Sequence, residues 1–162
     1  MKDRAQYLEA LARLENNNNS HGVQILTGQS NPELAKRVSS FLMQSLDEPI
    51  SGFPDGERRT VIKAPLRRRE VFIIQPTAPP RINDSLMELY GMLDASRRES
   101  PDEITAVIPY FAYARQDRRE QAGAPIMADL IAEQIVAAGA KRIVTVDLHS
   151  EQTMGAVRSS LG

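Results

Sequence analysis

The chain has 162 residues, enough for one domain with a real core and too few for a second of similar size. Its 41% hydrophobic and 25% charged residues are the balance of an ordinary globular protein, and a net charge of -1 supplies no global field for nucleic acid or an anionic membrane. The absence of cysteine excludes disulfides, thiolate metal sites and thiol nucleophiles. The charged segment Met1 to Asn16 lacks the apolar core of a signal peptide, and no apolar run approaches membrane-spanning length. A soluble, cytoplasmic protein is expected.

Leu8, Leu11 and Leu14, with Tyr7 beside them, recur at helical spacing and predict a short peripheral helix, which the run Asn16–Asn19 ends. Residues 1–20 are accordingly read as a helix and Asn-rich linker. A strand follows at Val23–Thr27. Ser30-Asn31-Pro32 predicts a helix start, a capping side chain standing just ahead of a proline that needs no N–H bond. Leu34, Val38, Phe41 and Leu42 are expected on its inner face. Ile50–Glu57, with Pro and Gly, reads as a loop.

Thr60–Ile62 and Val71–Ile74 read as strands. Arg67–Arg69 between them could hold phosphate, but a solvated turn is the simpler reading. Asn83-Asp84 is expected to cap the next helix, where Leu86, Leu89, Tyr90 and Leu93 form a stripe at i, i+3, i+4 and i+7. Ile104–Ile108 is a strand stopped by Pro109. A polar loop runs to about Ala124. Pro125 opens a further helix with Ile126, Leu130, Ile131 and Ile135 inward, and Gly139 ends it as a left-handed cap. Arg142–Val146 reads as a central parallel strand. Alternating strands and helices imply a mostly parallel sheet covered by helices.

Ligands of open α/β sheets bind beyond the carboxyl ends of the strands. Three such ends carry unusual residues: Gln75-Pro76-Thr77, the run Pro109 to Asp117, and Asp147-Leu148-His149-Ser150. In the second, Tyr110, Phe111 and Tyr113 could stack on a base, and Arg115 could stack or clamp phosphate. Gln116 and Asp117 add an amide and a carboxylate for sugar hydroxyls or hydrated metal. The alternative is a loop whose aromatics fill the core edge and whose charges are solvated. Asp147 and His149, two apart on extended chain, project to the same side and could share a hydrated metal–phosphate complex. A hydrogen-bonded histidine at a strand end, with Asp147 capping the next turn, is an equal alternative. His21 receives no role. Phe53-Pro54-Asp55-Gly56-Glu57 is by default a turn, although Phe53 offers a stacking face and Asp55 and Glu57 offer acceptors for an exocyclic amine. Neither G-x-x-x-x-G-K-[ST] nor G-x-G-x-x-G occurs, which excludes a P-loop kinase and a common type of dinucleotide-binding domain.

Taken in order, Phe53–Glu57, Asn83–Leu89, Ile108–Arg118 and Val146–His149 resemble the N-terminal domain of ribose-phosphate pyrophosphokinase, or PRPP synthetase, over roughly Gln24 to Gly155. The Tyr-Ala-Arg-Gln-Asp-Arg stretch is close to a signature of that family. The resemblance implies an α/β, phosphoribosyltransferase-like (Rossmann-like) three-layer domain over residues 21–155, with 156–162 a tail. It also implies a transferase of nucleotide biosynthesis, passing the β,γ-diphosphoryl group of ATP to ribose 5-phosphate to give PRPP and AMP, with Mg²⁺ required. Phe53, Asp55 and Glu57 would contact adenine from a neighbouring subunit, Arg115, Gln116 and Asp117 would bind ATP, and Asp147 and His149 would hold the Mg²⁺–triphosphate. A homo-oligomer follows from a site shared between subunits.

Family members are about twice this length, and their second half carries the ribose 5-phosphate loop and a flexible catalytic loop. Residues for these are not found here, so no catalytic residue is assigned and ribose 5-phosphate is expected only where that half is supplied. The alternative is a non-catalytic associated subunit that assembles with a full-length synthetase. A phosphoribosyltransferase is disfavoured because its acidic PRPP loop is not found.

Overall fold

A computed structural model describes residues 22–146. The expected lead-in helix, the Asp147–Ser150 segment and the 156–162 tail lie outside these residues.

The first strand, β1 (Val23–Thr27), falls where the sequence places it. Asn31 then caps α1 (Pro32–Leu42), its side chain accepting from the Leu34 amide at 3.1 Å, with Pro32 in the first turn. Phe41 does not join the inner face as expected. It is 63% exposed, and Ala35 and Ser39 fill the buried positions between Leu34, Val38 and Leu42. A short β2 (Leu46–Asp47) follows.

The segment expected as a loop contains a strand. β3 (Ile50–Gly52) pairs antiparallel with β4 (Arg58–Thr60), aligning Ile50 with Thr60 and Gly52 with Arg58. The turn chemistry of Pro54-Asp55-Gly56 is real, but the flanking residues are too few and too polar to show strand alternation. For the same reason the strand expected at Thr60–Ile62 lies earlier. Arg67–Arg69 is a turn, as the simpler reading held: Arg68 has φ +59° and the Arg69 amide bonds the Leu66 carbonyl at 3.0 Å.

Next come β5 (Glu70–Ile74), α2 (Ile82–Arg98) and β6 (Glu103–Val107). Asn83 and Asp84 do not cap α2. Arg81 occupies that position without a side-chain cap bond, and Asn83 and Asp84 sit inside the first turn, where other partners take them. The last helix, α3 (Met127–Ala138), starts two residues after Pro125. Its buried face is Ala128, Ile131, Ala132 and Ile135, whereas Leu130, expected inward, is 41% exposed. Gly139 ends it with φ +132°, a conformation that favours glycine. β7 (Arg142–Val144) is shorter than expected, and among the described residues it is an edge strand rather than a central one.

The main sheet has five strands in the order β2-β1-β5-β6-β7, and every pairing is parallel. Successive side chains on a strand face opposite sides, so β1, β5 and β6 each feed two cores. Leu26, Val71, Ile73, Ile104 and Ala106 pack with Leu86, Leu89, Met92 and Leu93 of α2 and with Ile131 and Ile135 of α3. Ile25 and Ile74 pack on the other side against Ala35 of α1, with Leu34, Val38 and Leu42 around them. The result is the expected three-layer α/β domain. No helix among the described residues is long and apolar enough to cross a membrane.

Candidate functional site

Thr27 pairs with Ile74, Ile74 with Val107, and Val107 with Val144. Because the strands are parallel, the carboxyl ends of β1, β5, β6 and β7 therefore stand level and make one rim. The strand order reverses at β1, since β2 lies to one side and β5 to the other. The ends of β1 and β5 flank that reversal, the customary ligand position in an open α/β sheet.

Two of the three segments singled out in the sequence meet on this rim. The Thr77 amide and hydroxyl both donate to the Tyr110 carbonyl, at 3.0 and 2.8 Å, and the same hydroxyl accepts from the Ala112 amide at 2.8 Å. Thr77 thus bolts the loop after β6 to the loop after β5. The three aromatics of that loop then divide. Phe111 is buried in the core, as the plainer reading of the sequence held for it. Tyr113 turns back with φ +59°, and its hydroxyl donates to Asn83 Oδ1 at 2.7 Å. Tyr110 stays 48% exposed.

Beyond Tyr113 the chain presents Arg115 and Gln116 to solvent, with Asp117 half-buried. Backbone bonds fix the height of this stretch. The Gln116 amide reaches the Tyr113 carbonyl at 2.9 Å, and the Gln116 carbonyl accepts from Ala128 of α3 at 3.1 Å. An exposed guanidinium beside a backbone so anchored can reach an anion with the chain itself already in place.

Phe53, Asp55 and Glu57 form a separate cluster at the tip of the β3–β4 hairpin. Bonds within the tip hold it: Phe53 N to Glu57 O at 2.9 Å, Gly56 N to Phe53 O at 3.1 Å, and Glu57 N to Asp55 Oδ1 at 3.0 Å. Gly56 has φ +96°, which the turn requires. All three side chains are exposed. The hairpin rests on α2, where Gly91 lets Thr60 approach: a β-carbon at Gly91 would stand 2.6 Å from Thr60 Oγ1.

Sequence reasoning missed the polar group beneath the rim. Glu88 of α2 is 1% exposed, and its carboxylate accepts from the Gln29 amide at 2.8 Å and from Gln75 Nε2 at 3.0 Å. Arg58 of β4 stands 3.5 Å away and Arg81 4.0 Å. Gly28 is needed here too, since a β-carbon would lie 2.6 Å from Gln75 Oε1. The available signal was a carboxylate in register with Ser85, Met92 and Ser96 on the buried side of a helix.

Asp147 and His149, the expected metal ligands, lie outside the described residues. Within those residues no group of three acidic or histidine side chains is arranged to hold a metal ion. A cavity of about 490 Å³ sits at the opposite edge of the sheet, lined by Arg97, Ser100 and Gly139 with Glu103 and Lys141 at the amino ends of β6 and β7. It takes no part in the rim.

Residues 23–139 match the family model for the N-terminal domain of ribose phosphate pyrophosphokinase. The chain is 50% identical over 135 residues to the ribose-phosphate pyrophosphokinase of Pasteurella multocida, covering 82% of this chain and 42% of the relative. It is 47% identical over 137 residues to that of Caldanaerobacter subterraneus, covering 84% and 43%. The crystal structure of phosphoribosylpyrophosphate synthetase from Mycobacterium smegmatis superposes with a TM-score of 0.79 at 36% identity, covering 83% of this chain and 45% of that one. The chain thus spans less than half the length of these relatives.

Proposed function

Since the chain belongs to the ribose-phosphate pyrophosphokinase family, matching its N-terminal domain, we propose that its carboxyl-end rim is the ATP-binding half of a ribose-phosphate diphosphokinase site. The observation that carries this reading is the joining of the loops after β5 and β6 through Thr77, which leaves Arg115 and Gln116 exposed on a fixed backbone.

Arg115 lies against the base and phosphates of ATP, with Gln116 and Asp117 beside it. Phe53 stacks on adenine, and Asp55 and Glu57 accept from its exocyclic amine, the hairpin tip being lent by a neighbouring copy in a homo-oligomer. Its exposure and its support on α2 suit a projecting arm. Asp147 and His149, which follow β7 in sequence and lie outside the described residues, would hold a hydrated Mg²⁺–triphosphate. When bound, the ion would neutralise phosphate charge, and Mg²⁺ habitually retains several waters. Diphosphoryl transfer rests mainly on positioning and charge neutralisation, which is the kind of work this rim can do. Ribose 5-phosphate binding and turnover to PRPP and AMP are proposed for the complete family architecture, not for these residues alone.

Comparing ATP with inorganic tripolyphosphate, both with Mg²⁺, separates base contacts from phosphate contacts. The Phe53→Ala variant is expected to lose ATP affinity and keep tripolyphosphate affinity. Equal affinity for ATP in variant and wild type would remove the tip from the site.

A further inference from the structure

The hairpin that carries Phe53, Asp55 and Glu57 has strands of only three residues each. A lone two-stranded hairpin of that size is marginal in water, so its placement must come from what it rests on. Two contacts fix it on α2. One is the Thr60–Gly91 approach. The other is Arg58, whose Nε faces Glu88 Oε1 at 3.5 Å and whose Nη2 faces Asp84 Oδ2 at 3.4 Å. Arg58 Nη1 also donates to Gln29 Oε1 at 3.4 Å, directly at the rim.

The two oxygens of Glu88 divide the structure between them. Oε2 accepts from Gln29 at the end of β1 and from Gln75 at the end of β5. Oε1 faces Arg58 of the hairpin and Arg81 at the start of α2. A buried carboxylate is costly unless paired and hydrogen-bonded, and a hydrophobic side chain could fill the same space in a helix. What the carboxylate adds is a charge link between the rim and the hairpin, an ion pair at 3.5 Å that is not itself a hydrogen bond.

We propose that Glu88 is a positioning residue, a buried carboxylate that sets the hairpin, through Arg58, at a fixed height and angle relative to the strand ends. The tip's task in binding adenine rests on the nucleotide reading above, but its placement by Glu88 does not. Under both together, each subunit's own rim is mechanically joined to the arm it lends to its neighbour.

Amide hydrogen exchange of the full chain tests this, comparing wild type with Glu88→Gln, Arg58→Met and Arg58→Lys. Glu88→Gln keeps the volume and an acceptor for Gln29 but loses the charge that holds Arg58. Arg58 lies outside both hydrophobic clusters although its side chain is only 23% exposed, so Arg58→Met serves if Glu88→Gln does not fold. Exchange over residues 50–61 is expected to rise on the order of tenfold or more in the first two variants, with protection of β1, β5 and β6 nearly unchanged. Arg58→Lys, which retains the charge, is expected to recover part of the protection. Hairpin exchange that does not change, or that rises in step with the sheet, would overturn the proposal. Mg·ATP titration of the same variants reads the other question. Selective loosening with unchanged ATP affinity would keep the role of Glu88 and discard the tip as an adenine contact.

Discussion

Thr77 holds the Tyr110 carbonyl with two hydrogen bonds, one from its amide at 3.0 Å and one from its hydroxyl at 2.8 Å. That hydroxyl is also the acceptor for the buried Ala112 amide. Thr77→Val preserves shape and removes both roles of the hydroxyl. It leaves the Ala112 N–H without its acceptor, which costs about 1–3 kcal/mol. Thr77→Ser keeps the oxygen and is expected to lose much less. Urea midpoints of the two variants check the difference, and a Thr77→Val loss no larger than that of Thr77→Ser would contradict the role given to the hydroxyl.

Gly91 offers a prediction of opposite sign to helix propensity. Alanine in a helix interior is favoured over glycine by about 1 kcal/mol. Here its β-carbon would collide with Thr60 Oγ1 at 2.6 Å, so Gly91→Ala is expected to destabilise by about 1–2 kcal/mol. In a Thr60→Ala background the collision is gone, and the same substitution becomes stabilising. A double-mutant cycle by urea unfolding reads the reversal directly.

Burial and the nearby Tyr113 push the Tyr90 phenol from 10.0 up to about 12. The unfolded chain therefore ionises first as pH rises. Stability from the neutral phenol is fully present below pH 10.0 and is lost as pH climbs toward about 12. The Tyr90 hydroxyl is buried without a hydrogen-bond partner among the described residues. Tyr90→Phe is thus expected to be at least as stable as wild type at neutral pH, and to decline less between pH 10.0 and about pH 12. A parallel decline in both proteins would reject the assignment.

Arg115→Ala removes an exposed side chain whose backbone is fixed by other groups. It is expected to weaken Mg·ATP binding on the order of tenfold or more, as loss of a charge-assisted phosphate contact does, with an unchanged circular dichroism spectrum and urea midpoint. His149→Ala is expected to weaken Mg·ATP binding likewise. Unchanged affinity in both variants, with native-like spectra, would count against the site.

The parallel sheet was legible because its strands are short apolar runs separated by helices with buried stripes, and β1 was located to the residue. The rim followed from that order, as did Gln75–Thr77 and Arg115–Asp117 upon it. Less legible were elements whose neighbours decide their state. β3 and β4 are strands only because they pair with each other and lie on α2. Asn83 and Asp84 read as caps but serve Tyr113, Arg81 and Arg58 instead. Phe41 and Leu130 match the helical period, yet they lie at the margins of faces that smaller side chains fill. Glu88 was hidden for another reason: a glutamate in a helix normally signals solvent, and its partners come from Gln29, Arg58 and Gln75, all distant in sequence.

Calorimetric titration of the purified chain with Mg·ATP, followed by an AMP-release assay with ribose 5-phosphate on the same sample, tests the central claim most directly. Saturable binding that Arg115→Ala weakens, with no AMP released by the chain alone, is the expected result. Absence of binding, or binding that Arg115→Ala leaves unchanged, would contradict the assignment of this rim to ATP.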